Sequence, residues 1–210
     1  MTFDDLLAIL ERCDDSSSVV FATGARFIRK LPGRGPLAFL HHLPAPADDA
    51  ALQGVEGKLG RSIPMDFRAF LARSNGPTLF DLHLTFFGAE QRISRSLRLE
   101  DQIAISLLFE NETFALTQAD RWAAGWMRIG AVSGWNTQHE LQASADGRCA
   151  IVNQDGATID FADFGALMEL LVDILSPLVP CAGLASDEKL IRPLEAALGG
   201  LFPSGEARLS

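Results

Sequence analysis

The segment of residues 63–76, IPMDFRAFLARSNG, constrains the fold more than any other part of the chain, because it marks both ends of one helix. Pro64 suits a first helical position, where its missing N–H removes no hydrogen bond, and Asp66 complements the positive end of the helix dipole. Phe67, Phe70 and Leu71 fall at i, i+3 and i+4 and form one apolar face, with Arg68 and Arg73 pointing away. Asn75-Gly76 predicts a left-handed stop, and Pro77 forbids continuation. Pro64, Phe67, Phe70, Leu71, Asn75 and Gly76 are therefore structural signature positions, which identify a fold without composing a site.

The flanking sequence predicts an α+β chain. Phe3, Leu6, Leu7 and Leu10 have helical spacing, with Thr2 as the cap. Residues 14–47 combine two short β-like runs with a Gly/Pro-rich turn and a Pro-Ala stretch, giving a hairpin followed by a linker. The LPGRGPL run within it lacks the Gly-Lys-Ser/Thr of a phosphate loop. A helix starts at Asp48, with Leu52, Val55 and Leu59 on one face and Gly60 as its left-handed end. Gly54 and Gly57 are expected where another helix packs closely. A strand follows near residues 82–87. Residues 103–109 fit either a helix or a strand, and Arg92, Arg95 and Arg98 recur before them at intervals of three.

Residues 126–132, 140–144, 149–153 and 158–161 then read as short strands. Ser133-Gly134, Asp146-Gly147 and Asp155-Gly156 separate them, and Asp-Gly between β runs is a hairpin signal. An antiparallel meander results, running into a helix over 163–176 with Phe164, Leu167, Leu170, Leu171 and Ile174 buried. A last helix is expected over 187–198. The predicted architecture is an antiparallel sheet of about 4–6 strands with helices packed against it and helical additions at both termini. The 210 residues fit one domain, with a core over roughly 48–175 and peripheral extensions at 1–47 and 180–210.

Composition excludes several functions. Net charge is −9, and residues 131–210 hold four basic side chains against eleven acidic ones, so nucleic acid is not an expected partner. A basic protein partner would be drawn in. The most apolar stretch, residues 164–185, contains Glu169, Asp173, Pro177 and Pro180, so no membrane span is expected. Asp4 and Asp5 stand where a signal peptide would carry basic residues, which makes the cytoplasm the expected location. Cys13, Cys149 and Cys181 are too widely spaced for a disulfide framework or a metal knuckle and are expected reduced and buried.

The order of the pieces VEGKLGRSIPMDFRAFLARSNG, MRIGAVSG, ADGRCAIVNQDG and IDFADFGALMELL resembles the SUKH superfamily, which groups relatives of yeast cell-wall-assembly regulators with many bacterial immunity proteins. The resemblance implies a small α+β domain without assigned catalytic residues. It also implies, for many members, neutralisation of a cognate toxin by direct binding. Residues 1–45, 88–120 and the last 30 lie outside the shared pattern.

The residues themselves add no catalytic constellation. His139-Glu140 lacks the second His of a zincin helix, and Ser133 misses the Gly-x-Ser-x-Gly spacing. Neither a cofactor nor a metal is expected, although Asp155 and Asp160 flank a hairpin where a cation has carboxylates to meet. Binding candidates are Trp135 and Asn136 in the loop after Ser133, Asp81 and His83 near the start of a strand, and Asp155 at a turn. Trp135 is either a core aromatic or an exposed interface anchor. Trp122 and Trp126 are expected in the core. The sequence carries no signal for oligomeric state.

Overall fold

The computed structural model describes residues 3–33, 38–81, 83–89, 105–133, 138–175, 177, 196 and 200–202. The helix expected over 187–198 falls, but for Ala196, outside these residues. So do Thr2, Leu82, Arg92, Arg95, Arg98, Trp135, Asn136 and Cys181.

Among the described residues nine strands form a single antiparallel sheet, ordered as in the chain: β1 (Val19–Val20), β2 (Arg26–Lys30), β3 (Phe39–Leu43), β4 (Thr78–Leu79), β5 (Leu84–Phe86), β6 (Trp126–Ser133), β7 (Gln138–Ser144), β8 (Cys149–Val152) and β9 (Thr158–Phe161). The α+β architecture matches the expectation, but the strand number exceeds it. β1 and β4 are two residues long and carry no periodic pattern. The segment before residue 48, expected as a peripheral hairpin and linker, supplies three strands of the common sheet.

Among the described residues six α-helices accompany the sheet: α1 (Phe3–Leu10), α2 (Asp49–Leu59), α3 (Met65–Leu71), α4 (Leu107–Thr117), α5 (Ala119–Ala123) and α6 (Phe164–Leu175). The ambiguous run at 103–109 thus enters a helix, capped by the Ser106 hydroxyl, which accepts from the Phe109 N–H at 3.3 Å. α2 begins and ends where the sequence places it. The Asp48 carboxylate accepts from the Ala51 N–H at 2.8 Å, and Gly60 has φ 65°. α6 is capped likewise by Asp163, which accepts from the Ala166 N–H at 2.8 Å.

In the meander, cross-strand partners share a face. Met127, Ala143, Cys149 and Phe161 line up across β6–β9 and face the main core, with Leu141, Ile151 and Ile159 in the neighbouring row. Leu6, Leu10, Leu52, Phe67, Leu71, Leu167 and Leu171 from the helices close this core, all at most 2 % exposed. The other face carries Arg128, Gln142, Ala150 and Asp160 in register. There α4 and α5 bring Phe114 and Trp122 against Trp126, Ala150 and Val152 in a second, smaller cluster. Asn111 of α4, fully buried, bonds the β6 backbone as a strand would. Its Oδ1 accepts from the Arg128 N–H and its Nδ2 donates to the Arg128 carbonyl, both at 2.8 Å. Trp126 is buried as expected, while Trp122 is half-buried, beneath the Arg61 guanidinium at 3.4 Å from its ring centroid. Cys13 and Cys149 are buried, and burial pushes the Cys149 thiol up to about 12.

The signature helix differs from expectation at its ends. Pro64 is its cap rather than its first residue, and α3 stops at Leu71 with Ala72 still right-handed. Asn75-Gly76 lies beyond the helix and acts as a clamp. The Asn75 Oδ1 accepts from the Ala89 N–H at 2.7 Å, and its own N–H donates to Ala45 at 3.2 Å. A Cβ on Gly76, whose φ is 73°, would lie 2.6 Å from the Gly88 backbone. The same turn holds the Pro-Ala stretch read as a linker, because the Ser74 hydroxyl donates to Pro44 and the Ala47 N–H to Leu71.

Gly54 and Gly57 also depart from expectation. They are exposed on α2, and a Cβ at either would meet nothing within 4 Å, so close packing does not explain them. Glycine lowers helix stability by about 1 kcal/mol relative to alanine. Gly54→Ala and Gly57→Ala are each expected to raise unfolding free energy by about that amount in urea titrations. Gly76→Ala is expected to lower it by about 3 kcal/mol or more, since left-handed strain and a backbone clash act together.

Candidate functional site

Strand directions place the sheet's connections at two ends. α2 and α3 join β3 to β4, α4 and α5 join β5 to β6, and α6 follows β9, all at one end. The opposite end carries the links β2–β3, β4–β5, β6–β7 and β8–β9, with no helix among the described residues.

The sequence-predicted binding residues that are described all lie at this loop end. Asp81 and His83 sit in the β4–β5 turn and Asp155 in the β8–β9 turn, four strand spacings away, or about 19 Å. The structure therefore brings Asp81 and His83 together and leaves Asp155 apart. The His83 Nδ1 lies 2.7 Å from the Ser133 carbonyl, and the Ser133 N–H donates to His83 at 2.8 Å. The β4–β5 turn thus adjoins the strand end from which residues 134–137 depart. Asp155 caps no ion-binding group: among the described residues no cluster of three or more His, Cys, Asp or Glu could hold a metal.

The β4–β5 turn is conformationally costly. Phe80 and Asp81 have φ 55° and 54°, a region that favours glycine. β3 holds them there. The Asp81 N–H donates to Leu40 at 2.9 Å, and the Phe80 N–H donates to the His41 Nδ1 at 3.2 Å. The fully buried Phe80 ring meets the His41 ring edge-on at 4.6 Å. Burial, reinforced by neighbouring His42, pulls the His41 pKa from 6.5 down to about 3. Burial also lowers His42, with Asp81 opposing the shift.

A cleft of about 690 Å³ opens elsewhere, between α3 and α6, with α1 at one end. Phe70, Phe164 and Met168 form its floor, and Asp66, Asp163, Glu169 and Arg73 stand on its rim. Phe70 and Phe164 meet at 5.3 Å between centroids, and Phe3 contacts Phe70 edge-on at 5.4 Å. Arg73 is drawn toward α1 by an ion pair with Asp4. The signature segment therefore builds one wall of the cleft with the side of α3 that its core residues leave over. Sequence reasoning passed over these residues as a group. Asp66 and Asp163 each mark a helix start, and nothing in one dimension shows that the two starts converge.

On the outer sheet face Arg128 bridges Glu110 at 2.9 Å and Glu140 at 3.3 Å. Gln142 donates to Glu140 at 2.8 Å, Gln118 to Glu140 at 3.2 Å, and the Arg121 Nε to the Gln142 side-chain Oε1 at 2.7 Å. These polar groups are engaged with one another, so the network fixes α4 and α5 to the sheet.

The architecture defines a sheet-and-helix protein whose distinctive surfaces are a helix-lined cleft and an end of bare turns. Residues 46–147 match the SMI1 / KNR4 family (SUKH-1), in agreement with the resemblance to the SUKH superfamily that the sequence carries. The match covers the pieces from VEGKLG to the start of the β7–β8 turn, and the β8–β9 hairpin and α6 follow it. Comparison with curated proteins and with solved structures gives no match. Among the described residues no helix is long and apolar enough to cross a membrane.

His41 gives the loop end a pH dependence. Its ring is neutral when folded and gains a proton on unfolding below pH 6.5, so its stabilisation is complete above that pH and declines as pH falls toward about 3. The urea midpoint is expected to fall between pH 7 and pH 5 more steeply in the wild type than in His41→Leu, whose overall stability is lower. Equal slopes would show that His41 does not titrate this way.

Proposed function

We propose that the chain is a protein-binding module of the immunity type, which neutralises a basic toxin domain by covering it and performs no chemistry of its own. The observation that carries this reading is the SUKH-1 match over residues 46–147, since the superfamily resemblance implies binding without assigned catalytic residues. The net charge of −9 supports a basic partner, because opposite charge accelerates encounter and disfavours wrong partners. Exposed acids are spread along the last third of the fold, with Asp155 and Asp160 on the β8–β9 hairpin and Asp163, Glu169 and Asp173 on α6. A cytoplasmic location suits this role, since a toxin entering the producing cell would be met there.

The SMI1 / KNR4 branch of the superfamily favours a second reading, a regulatory scaffold related to cell-wall-assembly regulators. Such a scaffold would bind an endogenous enzyme or structural component and protect against no toxin.

Co-expression distinguishes the two. Cells making a cognate toxin are expected to resume growth when this chain is present, and the purified complex is expected to weaken about tenfold or more as NaCl rises from about 50 to about 300 mM. Failure to protect against every toxin encoded beside the gene, together with capture of a defined cell-wall enzyme, would overturn the immunity reading.

A further inference from the structure

We infer that the cleft between α3 and α6 is a docking groove for a basic, amphipathic segment of a partner protein. The inference rests on the protein-binding reading above and names the surface and the partner chemistry. Three independent properties of the cleft point the same way.

The first is its floor. Phe70 and Phe164 are largely buried, at 5 % and 7 % exposure, and Met168 is buried beside them. The residues above them on the rim are small: Ala69 on α3, Gly165 and Ala166 on α6. Two helices that met through large side chains would close over this floor. Small residues leave the edges of these side chains within reach, which gives an incoming apolar side chain an apolar seat between the two helices.

The second is charge. Asp66, Asp163 and Glu169 line the rim with one cation, Arg73, and Arg73 is already turned toward Asp4. Two of the carboxylates also serve their own helices, Asp163 as the cap of α6 and Asp66 in the first turn of α3. A cap accepts through one oxygen and keeps its negative charge, so the rim remains acidic. A lysine or arginine can run its aliphatic stem along the apolar seat and bring its charge to these carboxylates.

The third is size. The volume of about 690 Å³ lies within the range of roughly 300–1,000 Å³ typical of occupied sites. From Asp66 to Leu71 the α3 wall runs about 7.5 Å at 1.5 Å per residue, a little over one turn of helix, and the turn that follows carries Arg73. An acidic rim over an apolar floor selects a helix with Leu or Phe on one face and Lys or Arg beside it.

The probe is a synthetic amphipathic helix of about 18 residues, five turns, made of Leu and Lys, beside the same peptide with Glu for Lys. Calorimetric titration into the full chain is expected to give saturable, salt-sensitive binding of the Leu/Lys peptide and none of the Leu/Glu peptide. Ala69→Trp, at an exposed position on the rim, is expected to weaken that binding about tenfold or more by filling the groove, and Glu169→Lys to weaken it comparably. Equal affinity for wild type and Ala69→Trp, or absence of saturable binding, overturns the inference. Toxin protection that survives Ala69→Trp undiminished overturns the groove and leaves the neutralising role standing. Absence of protection by the wild type, with peptide binding at the groove intact, overturns the neutralising role and leaves the groove.

Discussion

The approach of the Gly76 backbone to that of Gly88, locked by the Asn75 side chain on the Ala89 N–H, is the contact on which the rest of the structure depends. It joins the exit of α3 to the exit of β5, two points that the chain reaches at opposite ends of a short hairpin. With those points fixed, the Phe70 ring meets Phe86 at 4.8 Å and Phe164 at 5.3 Å, and the aromatic centre of the core is complete. A side chain at Gly76 would push α3 away from the sheet and separate those rings. Nearby, Gly130 serves the same purpose, since a Cβ there would lie 2.5 Å from the Thr85 carbonyl oxygen. β5 is thus gripped on both sides by residues that have no side chain.

This arrangement divides labour along the strand axis. Helices enter and leave at one end of the sheet, where Asp163 passes the chain from β9 to α6 and the cleft begins. The other end carries the β4–β5 and β8–β9 turns among the described residues. In the first of these, Phe80 and Asp81 are held in a left-handed conformation by contacts to β3, with the buried His41 and Phe80 rings packed together. The two ends are chemically unlike. One presents an apolar floor with acids around it, and the other presents backbone turns with scattered polar side chains.

The sequence shows most clearly those elements whose stabilising groups are close along the chain. The caps of α2 and α6 act over three residues, and the Asp-Gly turns of the meander act over two, with Gly147 and Gly156 at φ 91° and 80°. All were readable from local pattern. The Asn-Gly pair was readable as a left-handed element but not as a clamp, because its partners Gly88 and Ala89 are more than ten residues away. β1 and β4 escaped for a different reason, since two residues have no period to detect. The exposed Gly54 and Gly57 mimic a packing motif, and only the empty space beside them shows otherwise. The cleft was hidden because its walls, Asp66 and Asp163, are nearly a hundred residues apart. His83 and Asp81, by contrast, lie two residues apart and share a single turn.

The order of the sheet also bears on how the protein is made. Each strand from β1 to β9 pairs with the one synthesised just before it, so no strand must wait for a distant partner to emerge. Loop closure grows only slowly with length, and even the helical excursions between β3 and β4 and between β5 and β6 return the chain to the last strand laid down. The growing sheet therefore keeps one fixed edge at β1, only two residues long, and one moving edge at its newest strand, which the next strand covers. A partly synthesised copy in this scheme offers neighbouring chains little lasting edge on which to misassemble.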